Sequence, residues 1–465
     1  MNYSSTIGLE IHAELKTTTK MFCNSKNDPD ETRSNVNTCP VCLGHPGTLP
    51  VINKEAFKHV LKVGLALGGK LADFTEFDRK NYFYPDIPKG YQISQYKYPL
   101  VSDGELNGVK ITRVHLEEDT GTSLHEEGDY SLVDFNRAGV PLMELVTEPV
   151  IHSAKEAADF ARELQLLLRY LEVSDANMEK GEMRVEANIS ITPNTQHPTP
   201  NNLGTKVEVK NLNSFKAVEQ AIGYEIKRQV GILERGEKVI QETRGWDDDK
   251  DETFSQRQKE ESHDYRYFPE PDIPKLKLSE LPEFNVATLK KELPELPWIK
   301  RERYLRDFSI KSNDIEIFVQ DRKLAGFFEA TANILGEKKL IQLAANYIIN
   351  DGVDEKVPPA AFAELIMMIN KGKLSSRGAK DILAVMFQKG GLPAEIARTL
   401  GLLQKNDEKT LVKIVQQAID DNPKVVVEYK SGKTAALEFL VGQGMKMSKG
   451  SANPAALRKL FVKQL

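Results

Sequence analysis

The stretch 6–15 alternates apolar and polar side chains. The apolar positions are Ile7, Leu9, Ile11 and Ala13, and the polar positions are Glu10, His12 and Glu14. A period of two is typical of a strand that buries one face and presents the other. Charged residues on a solvated face of an antiparallel sheet would give the same pattern. A functional interpretation therefore depends on whether similar strands recur.

Such strands recur in three later stretches. In 113–121 the alternation places Glu118 on a mainly apolar face, opposite the face that presents His115, Glu117 and Asp119. A buried Glu118 requires a β-bulge or a charged partner. In 183–191 and 206–215 the predicted polar faces include Arg184, Glu186, Lys206, Glu208 and Lys210. Together the four strands predict one sheet whose polar face is a site.

The side chains on this face suit Mg²⁺ with a polyphosphate. Oxygen ligands hold a hard cation, and basic side chains neutralise phosphoryl oxygens. By alternation, the predicted phosphate-binding groups are Lys206, Lys210 and Arg184. The common nucleotide-binding loops are absent. Gly432-Lys433-Thr434 resembles the end of a Walker A loop, but Val427 stands where that loop needs its first glycine. No Gly-x-Gly-x-x-Gly motif follows a predicted strand. A nucleotide site would have to be of another kind.

A loop between the first two strands combines aromatic and basic residues. Over 78–96 the aromatic residues are interleaved with Arg79, Lys80 and Lys89. Such a loop could stack a base and hold phosphates. Aromatic packing beneath a long loop is the alternative interpretation.

Helical periodicity appears between the strands and dominates the second half of the chain. It predicts helices over 53–71, 153–171 and 214–234, the second beginning at a capping signature of Ser153 and Glu156. The proline-punctuated stretch 293–298 marks a junction. Beyond it, short amphipathic helices are predicted over 361–371, 376–387, 393–400 and 408–420. The predicted fold class is α+β.

Length and composition limit the class of protein. The chain has 465 residues, a net charge of -5 and three cysteines. This length predicts two to four domains, and so few cysteines favour a reducing compartment over a disulfide framework. The N-terminus lacks a signal pattern, and no apolar run approaches the roughly 20 residues of a membrane span. We expect a soluble, cytoplasmic protein.

The cysteines form part of a zinc-ribbon pattern. Cys39 and Cys42 make a Cys-x-x-Cys pair, and Cys23 lies upstream. A zinc-ribbon-like insertion is predicted over 20–45, and the candidates for a fourth ligand are Asp28, Asp30 and His45. Burial of the sulfurs without a metal is the alternative. A thioredoxin-like redox role is disfavoured, because no strand and helix of that kind surround the pair.

The C-terminal end is locally basic. From Lys424 onward there are eight Lys or Arg residues against Glu428 and Glu438. This excess favours binding to a phosphate backbone, although solvated helix faces would look similar.

Several segments resemble one known family, the B subunits of the aspartyl/glutamyl-tRNA amidotransferases. These segments are 7–12, 81–86, 115–119, 134–141, 210–215 and 263–272, with 439–443 and 449–454 near the end. The resemblance covers essentially the whole chain. It implies an N-terminal cradle of antiparallel sheet with helices over 1–293, an all-helical domain over 294–405 and a small helical, tRNA-binding tail over 406–465.

The resemblance also implies a reaction and its partners. ATP phosphorylates the side-chain carboxylate of Glu-tRNA(Gln), Asp-tRNA(Asn) or both, and ammonia then converts the acyl phosphate to an amide. The ammonia is channelled from a glutaminase (A) subunit in a heterotrimer that also contains a small C subunit. A non-catalytic RNA-binding scaffold is the alternative.

Residues at the family's motif positions carry implied roles. Those implied around Mg²⁺ are Glu10, His12, Glu118 and Glu208, and Glu117 and Glu186 remain alternatives. Lys210 is also expected to be catalytic, but this expectation comes from alternation and from the charge that phosphoryl transfer needs. The chain departs from the family pattern at two places. Ser25 stands where many relatives carry a fourth cysteine, which removes one zinc ligand, and Glu186 stands where aspartate is common.

Overall fold

The computed structural model of the chain describes residues 3–124, 130–193, 203–258, 265–404, 408–448 and 452–465. The chain divides into two compact units, Met1–Leu296 and Pro297–Leu465. The predicted α+β class is confirmed. The motif residues 263–264 and 449–451 lie outside the described residues, and the domain boundaries predicted after residues 293 and 405 stay predictions.

The first unit contains strands and a few helices. Its strands are β1 (Tyr3–Glu14), β2 (Lys70–Leu71), β3 (Phe74–Thr75), β4 (Asp78–Asn81), β5 (Tyr91–Ser94), β6 (Val101–Ser102), β7 (Glu105–Leu106), β8 (Val109–Glu118), β9 (Thr122–Leu124), β10 (Leu132–Asp134), β11 (Pro141–Thr147), β12 (Met183–Pro193), β13 (Val207–Leu212), β14 (Glu242–Asp247), β15 (Glu252–Gln258), β16 (Phe268–Pro269) and β17 (Leu276–Lys277). Its helices are α1 (Lys54–Ala66), α2 (Ala154–Tyr170), α3 (Phe215–Glu234) and α4 (Val286–Lys291), with short helical turns at Leu278–Glu280 and Pro282–Phe284.

Most of these strands form one large sheet with β1 near its centre. The strand order is β15-β14-β13-β12-β1-β11-β8-β6-β2, with β7 also paired to β8. Strand β1 pairs antiparallel with β12 on one side and with β11 on the other. A separate small sheet has the order β16-β4-β5.

The alternation in β1 places apolar side chains in the core and polar side chains on the opposite face of the sheet. Ile7, Leu9, Ile11 and Ala13 are buried, whereas Glu10, His12 and Glu14 are partly exposed. Helix α3 packs against β12 and β13, and α2 packs against α3. Burying each large apolar side chain contributes about 1.5–3 kcal/mol, so this packing favours the register that puts the polar residues on the other face.

The helix starts follow the sequence signals. Ser153 caps α2 by accepting from the Glu156 N–H at 3.2 Å, and the Glu156 carboxylate accepts from the His152 N–H at 3.0 Å. The helix predicted over 53–71 is shorter than expected. It ends at Ala66 because the chain turns at Gly68, whose φ of +67° is left-handed, and residues 70–71 form β2 instead.

The second unit is helical over its described residues. Its helices are α5 (Pro297–Arg303), α6 (Ser312–Gln320), α7 (Arg322–Leu335), α8 (Lys338–Asp351), α9 (Pro359–Asn370), α10 (Ser376–Lys389), α11 (Pro393–Thr399), α12 (Glu408–Asp421), α13 (Pro423–Lys430), α14 (Ala435–Met447) and α15 (Pro454–Gln464), with a π-helical turn at Tyr304–Phe308. A cluster that includes Leu411, Val415, Leu440, Leu457 and Phe461 forms an apolar core among the last four helices. Within the described ranges, no helix has the length and apolar character needed to cross a membrane.

Candidate catalytic site on the polar face of the large sheet

The register of the sheet aligns ionisable side chains across neighbouring strands. His12 of β1 pairs with Glu144 of β11, which pairs in turn with His115 of β8. On the other side of β1, Glu10 pairs with Glu186 of β12. Directly paired residues of antiparallel strands point to the same face. The polar faces predicted from alternation therefore meet in one place.

The first group on this face contains two imidazoles and two carboxylates. The Glu144 Oε2 atom lies 3.5 Å from Nε2 of both His12 and His115. Its Oε1 atom accepts from Arg113 Nη2 at 3.0 Å. Glu117 adds a second acid, with Oε1 also 3.5 Å from His12 Nε2. Glu144 thus links two imidazoles to a guanidinium.

The second group contains three carboxylates and an ammonium. Glu10, Glu186 and Glu208 offer oxygens that lie within 4.8 Å of one another. Lys210 Nζ donates to Glu186 Oε2 at 2.8 Å, and Thr243 Oγ1 donates to Glu208 Oε2 at 2.9 Å. The register between β12 and β13 shifts at this point, where Asn211 has a left-handed φ of 66°. This shift leaves Lys210 opposite Glu186.

Burial and crowding change the protonation of these groups. Burial, with the charges of Glu144 and Glu186, raises the pKa of Glu10 to about 7. Burial opposes protonation of His12, but its hydrogen bond to Glu144 and the charge of Glu117 outweigh this effect and raise its pKa to about 9. Burial lowers the pKa of His115 to about 4. A carboxyl group such as that of Glu10, whose pKa lies near neutral, can exchange its proton for a divalent cation.

Lys80 reaches this face from the small sheet. Burial disfavours its ammonium, but the charges of Glu117 and Glu144 outweigh burial and raise the pKa of Lys80. Its Nζ lies 5.0 Å from the ring of Tyr265 and 5.8 Å from that of Tyr82. The aromatic and basic loop predicted from sequence therefore borders the acidic groups.

Arg184 lies on the same face and pairs with a buried acid. Its Nη2 donates to Asp119 Oδ2 at 2.6 Å, and Arg137 Nε lies 3.7 Å from the same oxygen. Burial disfavours the Asp119 carboxylate, but Arg184 and Arg137 outweigh it and lower its pKa to about 2. Burial and the neighbouring Asp119 raise the pKa of Glu14 to about 8.

Glu118 does not join these groups. Its carboxylate accepts from the Lys89 ammonium, and Oε1 also accepts from the Ile93 N–H at 2.9 Å. The alternation predicted either a β-bulge or a charged partner for a buried Glu118, and in the structure Lys89 is a charged partner. Among the described residues, the possible metal-binding groups that contain Glu10 and His12 do not include Glu118, whereas Glu117 lies 3.5 Å from His12. The role at Mg²⁺ that the resemblance implies for Glu118 stays a prediction. Lys206, which precedes β13, is exposed.

Sequence reasoning missed Glu144 and left Lys80 without a defined position. Glu144 lies in β11, where every residue except Val146 is buried. An acid within such an apolar strand costs free energy unless it is paired. A single glutamate among residues 141–147 was therefore a usable signal, whereas the electrostatic interaction of Lys80 with Glu117 and Glu144 depends on tertiary structure.

The three cysteines also converge. The sulfurs of Cys23, Cys39 and Cys42 lie within 4.8 Å of one another. Ser25 Oγ lies 3.7 Å from Cys42 Sγ. Asp28 and Asp30 form ion pairs with Lys26 and Lys180 instead. A cluster of three sulfurs fits the ligand preference of Zn²⁺.

Comparisons with known proteins agree over the whole chain. A family described as the GatB/GatE catalytic domain matches residues 5–282, and one described as the GatB domain matches residues 329–465. Several relatives are named as B subunits of an aspartyl/glutamyl-tRNA(Asn/Gln) amidotransferase. The protein from Thermodesulfovibrio yellowstonii is 44% identical over 484 residues and covers 100% of both chains. That from Thermotoga maritima is 45% identical over 489 residues, covering 100% of this chain and 99% of the relative, and that from Crocosphaera subtropica is 43% identical over 491 residues, covering 100% and 98%.

Proposed function

Because this chain belongs to the family of aspartyl/glutamyl-tRNA amidotransferase B subunits, we propose that it phosphorylates and then amidates a side-chain carboxylate carried by a misacylated tRNA. The substrates are Glu-tRNA(Gln), Asp-tRNA(Asn) or both. A carboxylate oxygen attacks the γ-phosphorus of ATP, the bond to the ADP oxygen breaks, and an acyl phosphate forms. Ammonia then attacks the acyl carbon, inorganic phosphate leaves, a proton is released, and the amide remains.

One observation carries this proposal: three carboxylates lie within 4.8 Å of one another, beside an ammonium that contacts one of them. Oxygen ligands of this kind fit Mg²⁺. Glu10, Glu186 and Glu208 would hold the cation, and His12 lies in the adjoining group with Glu10 and Glu144. When bound, Mg²⁺ would neutralise charge on the phosphoryl oxygens of ATP.

The basic residues around this group supply positive charge where phosphoryl transfer needs it. Lys210 and Lys80 both reach the acidic face, Lys210 through Glu186 and Lys80 through its electrostatic contact with Glu117. Little covalent work is left to the protein in such a transfer, so positioning and charge are the main contributions expected of these groups. Lys206 and Arg184 stay predictions as phosphate-binding groups.

The remaining assignments follow from the family. We propose that the ammonia is generated by a glutaminase A subunit, that a small C subunit completes a heterotrimer, and that the tail over 406–465 binds the tRNA backbone. The cysteine cluster would hold Zn²⁺ as a structural ion, because three thiolates supply most of a tetrahedral site. Cytoplasmic location stays a prediction.

The test compares variants of the chain assembled with its partner subunits. Glu208→Gln and His12→Ala should each lower ATP-dependent phosphorylation of charged tRNA, by about 100-fold or more for a group that acts mainly in the transition state. Binding of tRNA should be unchanged. Glu55→Gln is the matched control, because Glu55 is exposed on α1. Both Glu-tRNA(Gln) and Asp-tRNA(Asn) are assayed.

Magnesium dependence gives a second measurement. Mg²⁺ should raise the unfolding midpoint of the wild-type chain and have a smaller effect on Glu208→Gln. If turnover survives both substitutions while tRNA binding is intact, the catalytic proposal fails and a non-catalytic RNA-binding scaffold is supported.

A further inference from the structure

We propose that an aromatic groove beside the acidic face binds the unpaired 3′-terminal adenosine of the tRNA substrate. The groove has a volume of about 640 Å³ and is lined by residues 81–84 on one side and by Tyr265, Arg266 and Phe268 on the other. This inference rests on the proposed function and adds the part of the substrate that the groove recognises.

Several aromatic rings that line the groove are exposed to solvent. Phe83 is 87% exposed, and Tyr84 and Phe268 are also exposed. The Phe83 ring lies against Gly90, where a Cβ atom would come within 3.1 Å of the ring. Isolated exposed apolar side chains are ordinary, but a concave group of them indicates a binding surface. Flat rings in an open groove match the faces of a nucleobase.

Hydrogen bonds from the Asn81 side chain and the pairing of two strands hold the walls of the groove together. Asn81 Nδ2 donates to the carbonyl oxygens of Tyr265 and Arg266, at 3.2 and 2.9 Å. Strand β16 pairs with β4 through Phe268 and Arg79. The Arg79 guanidinium is fixed in turn by Glu270, with Nε to Oε2 at 2.6 Å. The rings therefore project from supported segments.

The charge at the groove fits a nucleotide. Lys80 Nζ lies over the faces of the Tyr82 and Tyr265 rings, 5.8 and 5.0 Å from their centroids. Arg266 is exposed on the groove wall, where a phosphate could be contacted. Nucleobases bind such surfaces by stacking, and basic side chains follow the backbone.

The location of the groove favours the terminal nucleotide of the tRNA as its occupant. A single amino acid separates the reacting carboxylate from the terminal ribose of a charged tRNA. The terminal base must therefore lie on a surface that borders the phosphorylation site. The groove meets this condition, because β4 of its wall pairs with β5, whose Ser94 Oγ donates to Glu117 Oε2 at 3.2 Å. The groove is also open, so the remainder of a large polynucleotide can stay outside it.

The test is a binding cycle with uncharged tRNA, using the chain assembled with its partner subunits. Wild-type protein should bind intact tRNA about tenfold more tightly than tRNA that lacks its terminal adenosine. Tenfold corresponds to ~1.4 kcal/mol, which is within the range expected for one stacked base. Phe83→Ala should bind intact tRNA about tenfold more weakly than the wild type does. It should bind the two tRNAs with equal affinity. Phe83→Trp should restore the discrimination, because it restores a stacking surface.

Two further variants distinguish loss of an aromatic ring in the groove from loss of an exposed aromatic ring elsewhere. Phe268→Ala should reduce discrimination as Phe83→Ala does. Phe254→Ala should behave as wild type, because Phe254 is as exposed as Phe268 but lies in β15. The binding assay needs no ATP, so its result is independent of whether the chain catalyses phosphorylation.

The alternative occupant is the adenine of ATP. Under the proposal, Phe83→Ala leaves the KM for ATP unchanged at saturating charged tRNA. The proposal is overturned if Phe83→Ala raises the KM for ATP while removal of the terminal adenosine weakens tRNA binding by the same factor in the variant and in the wild type. The groove would then bind ATP. It is also overturned if Phe83→Ala and Phe268→Ala both discriminate as the wild type does.

Discussion

Replacing Arg184 by Met tests whether this residue stabilises the sheet or binds phosphate. Alternation alone predicts a phosphate-binding group, but the structure shows a hydrogen bond of 2.6 Å to Asp119, whose side chain is 3% exposed. Burial alone would raise the pKa of Asp119, but the charge of Arg184 is the largest of the effects that lower it, and the pKa falls from 3.8 to about 2. At 1.36 kcal/mol per unit, this shift corresponds to roughly 2 kcal/mol.

We expect Arg184→Met to lower the free energy of unfolding by about 3 kcal/mol at pH 7. Removing one partner of a buried pair costs about 3–5 kcal/mol, and Arg137 at 3.7 Å still compensates part of the Asp119 charge. The folded-state pKa of Asp119 is lowered, so this stabilisation is present above pH 3.8 and is lost as pH falls through 2. The difference between wild type and variant should therefore be constant between pH 5 and 7 and should shrink below pH 3.8.

The assay is urea unfolding followed by the fluorescence of Trp246, which is buried in the first unit. A Trp298→Phe background removes the signal of the second unit, because a single transition is meaningful only for one cooperative unit. Arg162→Met is the control. Its hydrogen bond to Asp159 is similarly short at 2.7 Å, but both side chains are more than 40% exposed, so the loss should be about 0–1 kcal/mol. A loss as small as this for Arg184→Met, together with a raised KM for ATP, would refute the structural assignment.

Three further predictions concern other parts of the chain. In metal-free protein, Glu144→Gln should move the pKa of His12 from about 9 toward 6.5, because the charge and hydrogen bond of Glu144 raise it; NMR titration of the labelled imidazole measures this, and an unchanged pKa would contradict it. Metal-free chain should take up about one Zn²⁺ with loss of thiol reactivity, and Cys42→Ser should bind it more weakly; zinc analysis that finds none in the wild type would count against the site. Deleting residues 406–465 should weaken tRNA affinity and flatten its dependence on salt, because Lys and Arg contacts release counterions, and an equal salt slope in both proteins would disprove the role of the tail.

Much of the local structure was predictable from particular residues. The alternation of Ile7, Leu9 and Ile11 with Glu10 and His12 correctly divided β1 into a buried and a polar face. The capping residue Ser153 marked the start of α2. The α+β class also followed from periodicity. These features depend on interactions within a few residues of the chain, which the order of side chains specifies directly.

The composition of the site was decided by tertiary structure. Alternation tells which face of a strand a residue occupies, but not which strand lies beside it or in what register. The pairing of β1 with β11 therefore brought Glu144 to His12, a contact that the pattern of β11 only hinted at. In the same way, Lys89 is the charged partner that Glu118 required, and it comes from a loop distant in sequence. Contacts of this kind arise from long-range packing, because the free energy of burying each apolar face selects the neighbours that the polar side chains then meet.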